Sequence, residues 1–203
     1  MKKSIAALLT VILMISLAAC RAKGGYDAYK EIYKRYGSME SFYAAAEITV
    51  RNDRTENTYK VRQTYKAPDT YEIVFDSPEE IAGSGYSFRD GKVFLKSGFE
   101  HGESLGIYSP NERNTVFLTD FFSEYYKSED SSAAASGGSL ESTTVLKCFI
   151  SNGGENRFSQ NLWIDNKTFL PVKLETYDSG GNPTVTVKYT EFKRNCDTDN
   201  SIF

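Results

Sequence analysis

From Phe42 onward, apolar residues return at every second position in segment after segment. Successive side chains of a strand point to opposite faces, so this alternation describes half-buried strands. Phe42, Ala44, Ala46, Ile48 and Val50 face one way, and Tyr43, Glu47, Thr49 and Arg51 the other. Tyr59, Val61, Gln63 and Tyr65 form a second strand, and Lys66-Ala67-Pro68-Asp69 turns the chain into a third carrying Tyr71, Ile73 and Phe75. Residues 86–95 read as a hairpin with Asp90-Gly91 at its tip, the pair favoured where both turn residues need positive φ. A short strand over 104–109 would end at Pro110. The last third repeats the pattern through Leu146, Cys148 and Ile150, then Leu162 and Ile164, then Leu170, Val172 and Leu174, then Val185, Val187 and Tyr189. Asp165-Asn166 and the loop 178–183 separate these runs.

Two segments break the period. Tyr26, Tyr29, Ile32, Tyr33 and Tyr36 recur at helical spacing until Gly37, which predicts an amphipathic helix over 26–36. Val116, Phe117, Phe121 and Tyr125 predict a second helix over about 114–127. The small Ala44 and Ala46 mark a place where a helix packs closely on the sheet. Ser128–Ser142, rich in Ser, Ala and Gly, reads as a mobile surface loop, and the tail from 195 to 203 as polar and loosely ordered. About nine or ten strands in hairpin succession with two helices imply an α+β fold. The expected form is a strongly curved antiparallel sheet, an incomplete β-barrel, with helices covering the concave face. Whether that apolar face lines a ligand cavity or is simply a packed core is left open by alternation alone.

The front of the chain has a different logic. Met1-Lys2-Lys3 precedes an apolar run from Ile5 to Ala19, which has signal-peptide length and is short of the roughly 20 residues a spanning helix needs. The run ends in Leu17-Ala18-Ala19-Cys20, a bacterial lipobox. Residues 1–19 are thus expected to be a lipoprotein signal peptide, Cys20 the site of lipid attachment, 20–25 a short tether and 26–194 one domain. Removal of the leader takes Lys2 and Lys3 and moves the formal charge from −3 to −5. Two or three acyl chains hold a protein durably, since each buried methylene contributes about 0.8 kcal/mol.

The order of motifs from 26 to 194 resembles the LolA/LolB-like lipoprotein-carrier superfamily. The resemblance rests on the first helix, the Phe42–Val50 strand and Tyr65-Lys66-Ala67-Pro68. It continues through Phe88-Arg89-Asp90-Gly91-Lys92-Val93-Phe94, Leu162-Trp163-Ile164-Asp165, Leu170-Pro171-Val172-Lys173-Leu174 and Val187-Lys188-Tyr189-Thr190-Glu191-Phe192. It implies an incomplete antiparallel barrel whose helices lid an apolar cavity. The lipobox, the short tether and the Tyr-rich helix are most similar to the GerS-type clostridial germination lipoproteins. That similarity implies a non-enzymatic protein in a forespore membrane that binds a spore-cortex N-acetylmuramoyl-L-alanine amidase. The partner would carry the zinc, and its activity would lead to muramic-δ-lactam in cortex peptidoglycan. No partner-binding residue is carried over by the resemblance. A carrier or receptor for lipids or lipoproteins is the alternative.

Candidate chemistries are few. An acidic balance argues against a nucleic-acid partner. His101, the single histidine, lies in Glu100-His101-Gly102-Glu103 and reads as a solvated loop residue rather than a general base. Gly83-Ser84-Gly85 lacks the outer glycines of a nucleophile elbow and reads as a turn. Asp120 and Glu124 share a helix face at i, i+4 and read as a solvated face rather than a metal or glycosidase pair. Cys148, flanked at alternate positions by Leu146 and Ile150, reads as a buried small hydrophobe. A disulfide to Cys196 would require Cα atoms within about 7 Å. No catalytic residue, cofactor or metal ligand is therefore expected in this chain, and an exposed edge strand offers a route to a homodimer.

Overall fold

The computed structural model describes residues 23–97, 100–107, 116–137, 140 and 142–196, without the side chains of 23–27, 97 and 100–107. Cys20 and the leader lie outside the described residues. Helix α1 (Lys23–Gly37) leads into β1 (Ser41–Arg51), β2 (Glu56–Lys66) and β3 (Thr70–Ser77). A single 3-10 turn, Glu79–Ile81, precedes β4 (Gly85–Arg89), β5 (Lys92–Ser97) and β6 (Glu100–Ile107). Helix α2 (Leu118–Lys127) is followed by β7 (Ser132–Ala135), β8 (Thr143–Phe149), β9 (Ser159–Asp165), β10 (Pro171–Tyr177) and β11 (Pro183–Arg194).

Among the described residues eleven strands form one antiparallel sheet in the order β6-β5-β4-β3-β2-β1-β11-β10-β9-β8-β7. Two meanders run outward from a seam between the first and last strands, where Ile48 sits between Tyr59 of β2 and Val187 of β11. The outer strands β6 and β7 do not meet, so the sheet stays open. Twist accumulates over this many strands, and bulges bend them further. The register slips at Ala45/Ala46 against β11, at Lys60/Val61 against β3 and at Thr176/Tyr177 against β11. The result is the strongly curved, incomplete barrel that the pattern predicts.

The concave face holds the core. Phe42 is fully buried and stacks on Phe192 of β11 at 5.3 Å while tilting against Tyr65 of β2 at 5.7 Å. The helices add Ile32 and Tyr36 from α1 and Leu118, Phe121, Phe122 and Tyr125 from α2 to the same cluster. Tyr36 stacks on Phe122 at 4.6 Å and donates its hydroxyl to the Phe169 carbonyl at 2.8 Å. Arg194 of β11 donates to the Arg35 carbonyl at 3.1 Å, a cation at the C-terminal end of α1 where the free carbonyls lie. The guanidinium of Arg35 lies 4.5 Å over the Phe169 ring. Helix α1 is therefore clamped to the β9–β10 turn and to β11.

Several expectations need correction. The segment 128–142 contains β7, paired with β8 from Ser132–Lys147 to Ala135–Thr144. Its four residues are exposed, so backbone pairing alone makes the strand and no alternation announces it. Helix α2 starts at Leu118, after Phe117 in extended conformation, and α1 starts at Lys23, inside the expected tether. Residues Glu100–Ile107 form one strand, and His101 belongs to it, opposite Lys96, rather than to a loop. Ala44 and Ala46 are buried, yet the helices approach β7 and β8 more closely than β1. Asn195 and Cys196 are tied to β1 through hydrogen bonds to Glu40 and Ser41, so order continues past β11.

Candidate functional site

Beside the helices the concave face opens into an apolar cavity of about 480 Å³. Ile48 and Val50 of β1, Ile73 and Phe75 of β3, Tyr86 and Phe88 of β4 and Leu95 of β5 line it, and Val116 and Phe117 close the end next to α2. Small-molecule sites typically enclose about 300–1,000 Å³ with mostly apolar walls, and this cavity falls in that range. Its origin is geometric. Eleven strands at about 4.8 Å spacing span roughly 50 Å, whereas a ten-residue helix is about 15 Å long. Among the described residues, helix α2 packs on β8, and neither helix extends over the β3–β5 end of the sheet.

Aromatic contacts give the cavity fixed walls. Phe117 meets Tyr71 at 4.9 Å and Phe88 at 5.8 Å, and Phe75 stands between Tyr59 and Tyr86 at 5.6 and 6.3 Å. Gly85 brings β4 tightly onto β3, because a Cβ there would lie 2.0 Å from the Ile73 carbonyl oxygen. Two polar links pin the start of α2. The fully buried Gln63 donates Nε2 to the Val116 carbonyl at 3.1 Å, and Thr119 donates to the Tyr71 hydroxyl at 2.8 Å. The alternation puts Tyr59, Gln63, Tyr71, Ile73 and Phe75 on shared strand faces and the helical spacing singles out Val116 and Phe117, but nothing in the pattern separates cavity wall from core.

Of the residues singled out for chemistry, Asp120, Glu124 and Cys148 lie at or under α2 and His101 lies apart on β6. Asp120 and Glu124 are 6% and 8% exposed, which corrects the solvated-face reading. Glu124 accepts the Ser151 backbone N–H at 3.0 Å, so the carboxylate closes the loop after β8 rather than meeting water. Beside it, burial and the Glu124 charge push the Cys148 thiol up to about 12. Cys148 is buried and Cys196 half-buried, and both are free thiols. Gly83-Ser84-Gly85 forms a turn in which the Ser84 hydroxyl donates to the Ile81 carbonyl at 2.5 Å. Among the described residues no group of three His, Cys, Asp or Glu side chains could hold a metal ion, and no helix is long and apolar enough to cross a membrane.

The chain forms an open, curved antiparallel sheet with two helices over its concave face, the fold that the sequence resemblance implies. Along residues 1–203 the sequence matches the sporulation protein YdcC-like family, and the chain belongs to that family. Among solved structures it is similar to the GerS lipoprotein, seen in the structure of the CwlD amidase from Clostridioides difficile in complex with GerS. The identity there is 25% and the TM-score 0.51, with 83% of this chain and 94% of the other covered. It is also similar in fold to MucB, at 12% identity and a TM-score of 0.50 over 88% of this chain and 61% of that one. A LolA superfamily protein, NE2245 from Nitrosomonas europaea, matches at 14% identity and a TM-score of 0.43 over 86% and 96% of the two chains. No curated protein matches the sequence.

Proposed function

We propose that this chain is a membrane-tethered, non-enzymatic sporulation lipoprotein that binds a cell-wall N-acetylmuramoyl-L-alanine amidase and licenses it to modify the spore cortex. The observation that carries the reading is the likeness to GerS, a lipoprotein whose structure is known in complex with an amidase, in a chain that belongs to a sporulation family. In this reading the amidase supplies the zinc and the hydrolytic chemistry, muramic-δ-lactam follows from its action, and germination depends on that product. Cys20 carries the acyl chains after residues 1–19 are removed, which holds the domain at the extracytoplasmic face of the forespore membrane. His101 lies on the edge strand β6, while Glu124 accepts the Ser151 backbone N–H and Cys148 beside it is a buried thiol; this separation of the histidine from the buried acid and thiol supports a binding role. Affinity capture of the lipoprotein from sporulating cells tests this: the amidase is expected in the eluate, and its absence under conditions that retain the lipoprotein would count against the reading.

A second reading is favoured by the cavity. An apolar pocket of about 480 Å³ suits a lipid or an acyl chain, as a carrier or receptor would need. Native mass spectrometry of material purified from membranes distinguishes the two, since a carrier retains a stoichiometric lipid besides the acyl groups on Cys20.

A further inference from the structure

The outward faces of the two helices share a composition that the core does not explain. On α1 the exposed residues Lys30, Tyr33 and Lys34 fall at i, i+3 and i+4, one stripe of a helix. On α2 the exposed Tyr126 and Lys127 continue it, for the Tyr33 and Tyr126 rings meet edge-on at 5.1 Å. Tyr33 is 54% exposed and Tyr126 42%, so much of each ring faces outward even though Tyr126 also stacks on Phe122 at 5.7 Å. Among the described side chains no carboxylate pairs with Lys30, Lys34 or Lys127, while Glu31 is held by Arg35 at 2.6 Å. In a chain with 27 acids against 24 bases this is a local basic and aromatic ridge, with Asp27 one turn before it on α1 and Glu129 and Asp130 following beyond its other end.

We infer that this ridge lies on the anionic headgroups of the bilayer that holds Cys20, a second membrane contact besides the acyl chains. The inference rests on the lipid-anchor reading above. Tyrosine places an apolar ring at the acyl boundary and its hydroxyl in the headgroup layer. Lysine stems lie along the same boundary with the ammonium group toward phosphate. Chain length supplies the occupant. Only Arg21 and Ala22 separate Cys20 from Lys23, so the start of α1 lies within about 11 Å of the acylated sulfur's backbone. Tyr33 is ten residues further, about 15 Å along the helix. A helix started so close to the bilayer reaches its surface by lying flat, and the stripe that then faces down is Lys30-Tyr33-Lys34. This orientation presents the sheet away from the lipid and leaves its outer face to a protein partner.

The test uses the acylated full-length lipoprotein reconstituted into phosphatidylglycerol-containing vesicles with brominated acyl chains, which quench nearby tryptophan. Tyr33→Trp is compared with Phe149→Trp on the outer face of β8, each against the parent that holds Trp163. Emission from Tyr33→Trp should be quenched about twofold more than that from Phe149→Trp. Adding Lys30→Glu and Lys34→Glu should reduce that quenching while flotation with the vesicles is unchanged. Equal quenching at the two positions in protein that still floats overturns the membrane ridge and leaves the anchor standing. Protein that fails to float overturns both. If lipids leave Tyr33→Trp emission unchanged and the amidase shifts it, the ridge faces the partner and the inference is wrong.

Discussion

The two ends of the concave face are built by the same alternation and finish differently. Toward β8, Leu146, Leu162, Leu174 and Val187 form one cross-strand row that continues to Ile48 at the seam. The first four are at most 1% exposed and belong to one cluster with Phe121 and Phe122 of α2. Toward β5, Ile73, Phe75, Tyr86 and Leu95 line the cavity, and Tyr86 and Leu95 are each 37% exposed. The difference lies in what stands above the strands. Ten residues of α2 cover one end and fall short of the other. Among the described residues, Ile48, Ile73 and Phe117 belong to both the core cluster and the cavity lining, and the wall grows more exposed toward Tyr86 and Leu95, away from the helices.

Reactivity should show the largest contrast. With its thiol raised from 9.0 to about 12, Cys148 holds about a thousandfold less thiolate at neutral pH than an ordinary cysteine. An aromatic disulfide reagent should therefore leave it untouched until the protein unfolds, while a Leu95→Cys variant reacts promptly in the folded state. Raising the pH toward 12 should release the protection, because the folded thiol ionises only there. Rapid native reaction of Cys148 would mean that the covered end is not closed.

Stability should follow the same division. Phe121→Ala removes a fully buried ring beneath the helix and should cost about 3–5 kcal/mol in denaturant unfolding. Gly85→Ala should cost about 1–3 kcal/mol, since the new methyl meets the Ile73 carbonyl and β3 must give way. Leu95→Ala should cost about 1 kcal/mol or less, because its side chain is already part-exposed, and should weaken binding of an apolar fluorescent probe. Equal losses at Phe121 and Leu95 would erase the distinction between core and cavity. The smallest effect belongs to the β9–β10 turn. Asp165 accepts N–H bonds from Lys167 and Thr168 and the Thr168 hydroxyl, which lower its carboxyl below the usual value of 3.8. A lowered folded value stabilises above the unfolded one and is lost as pH falls below about 4. Asp165→Asn should thus cost about 0.5 kcal/mol at neutral pH, a small loss for an exposed charge, and flatten the acid limb of the stability curve.

Most of this architecture is legible in the sequence, for identifiable reasons. Period two marks the apolar strands because burial on one face is what selects their residues. Asp90 and Gly91 both adopt positive φ, as their pairing at a hairpin tip requires. Strand β7 carries no such mark, since Ser132–Ala135 bury nothing and are held through the backbone of β8. Asp120 and Glu124 mislead because spacing alone does not reveal an acceptor role toward a distant backbone, here Ser151. The cavity is illegible for a related reason: alternation says which residues face inward and nothing about the length of helix above them. A protein-docking surface has no spacing rule of any kind, so the partner site is not written in any motif.

In the proposed function the protein acts through an amidase rather than as an enzyme. This is tested most directly by following muropeptide release from cortex-type peptidoglycan with the sporulation amidase alone, this protein alone and the two together. The expected result is a complex of the two proteins, no release by this protein alone and a marked rise in amidase turnover when both are present. Equal turnover with and without this protein, and no complex in light scattering, would contradict that function.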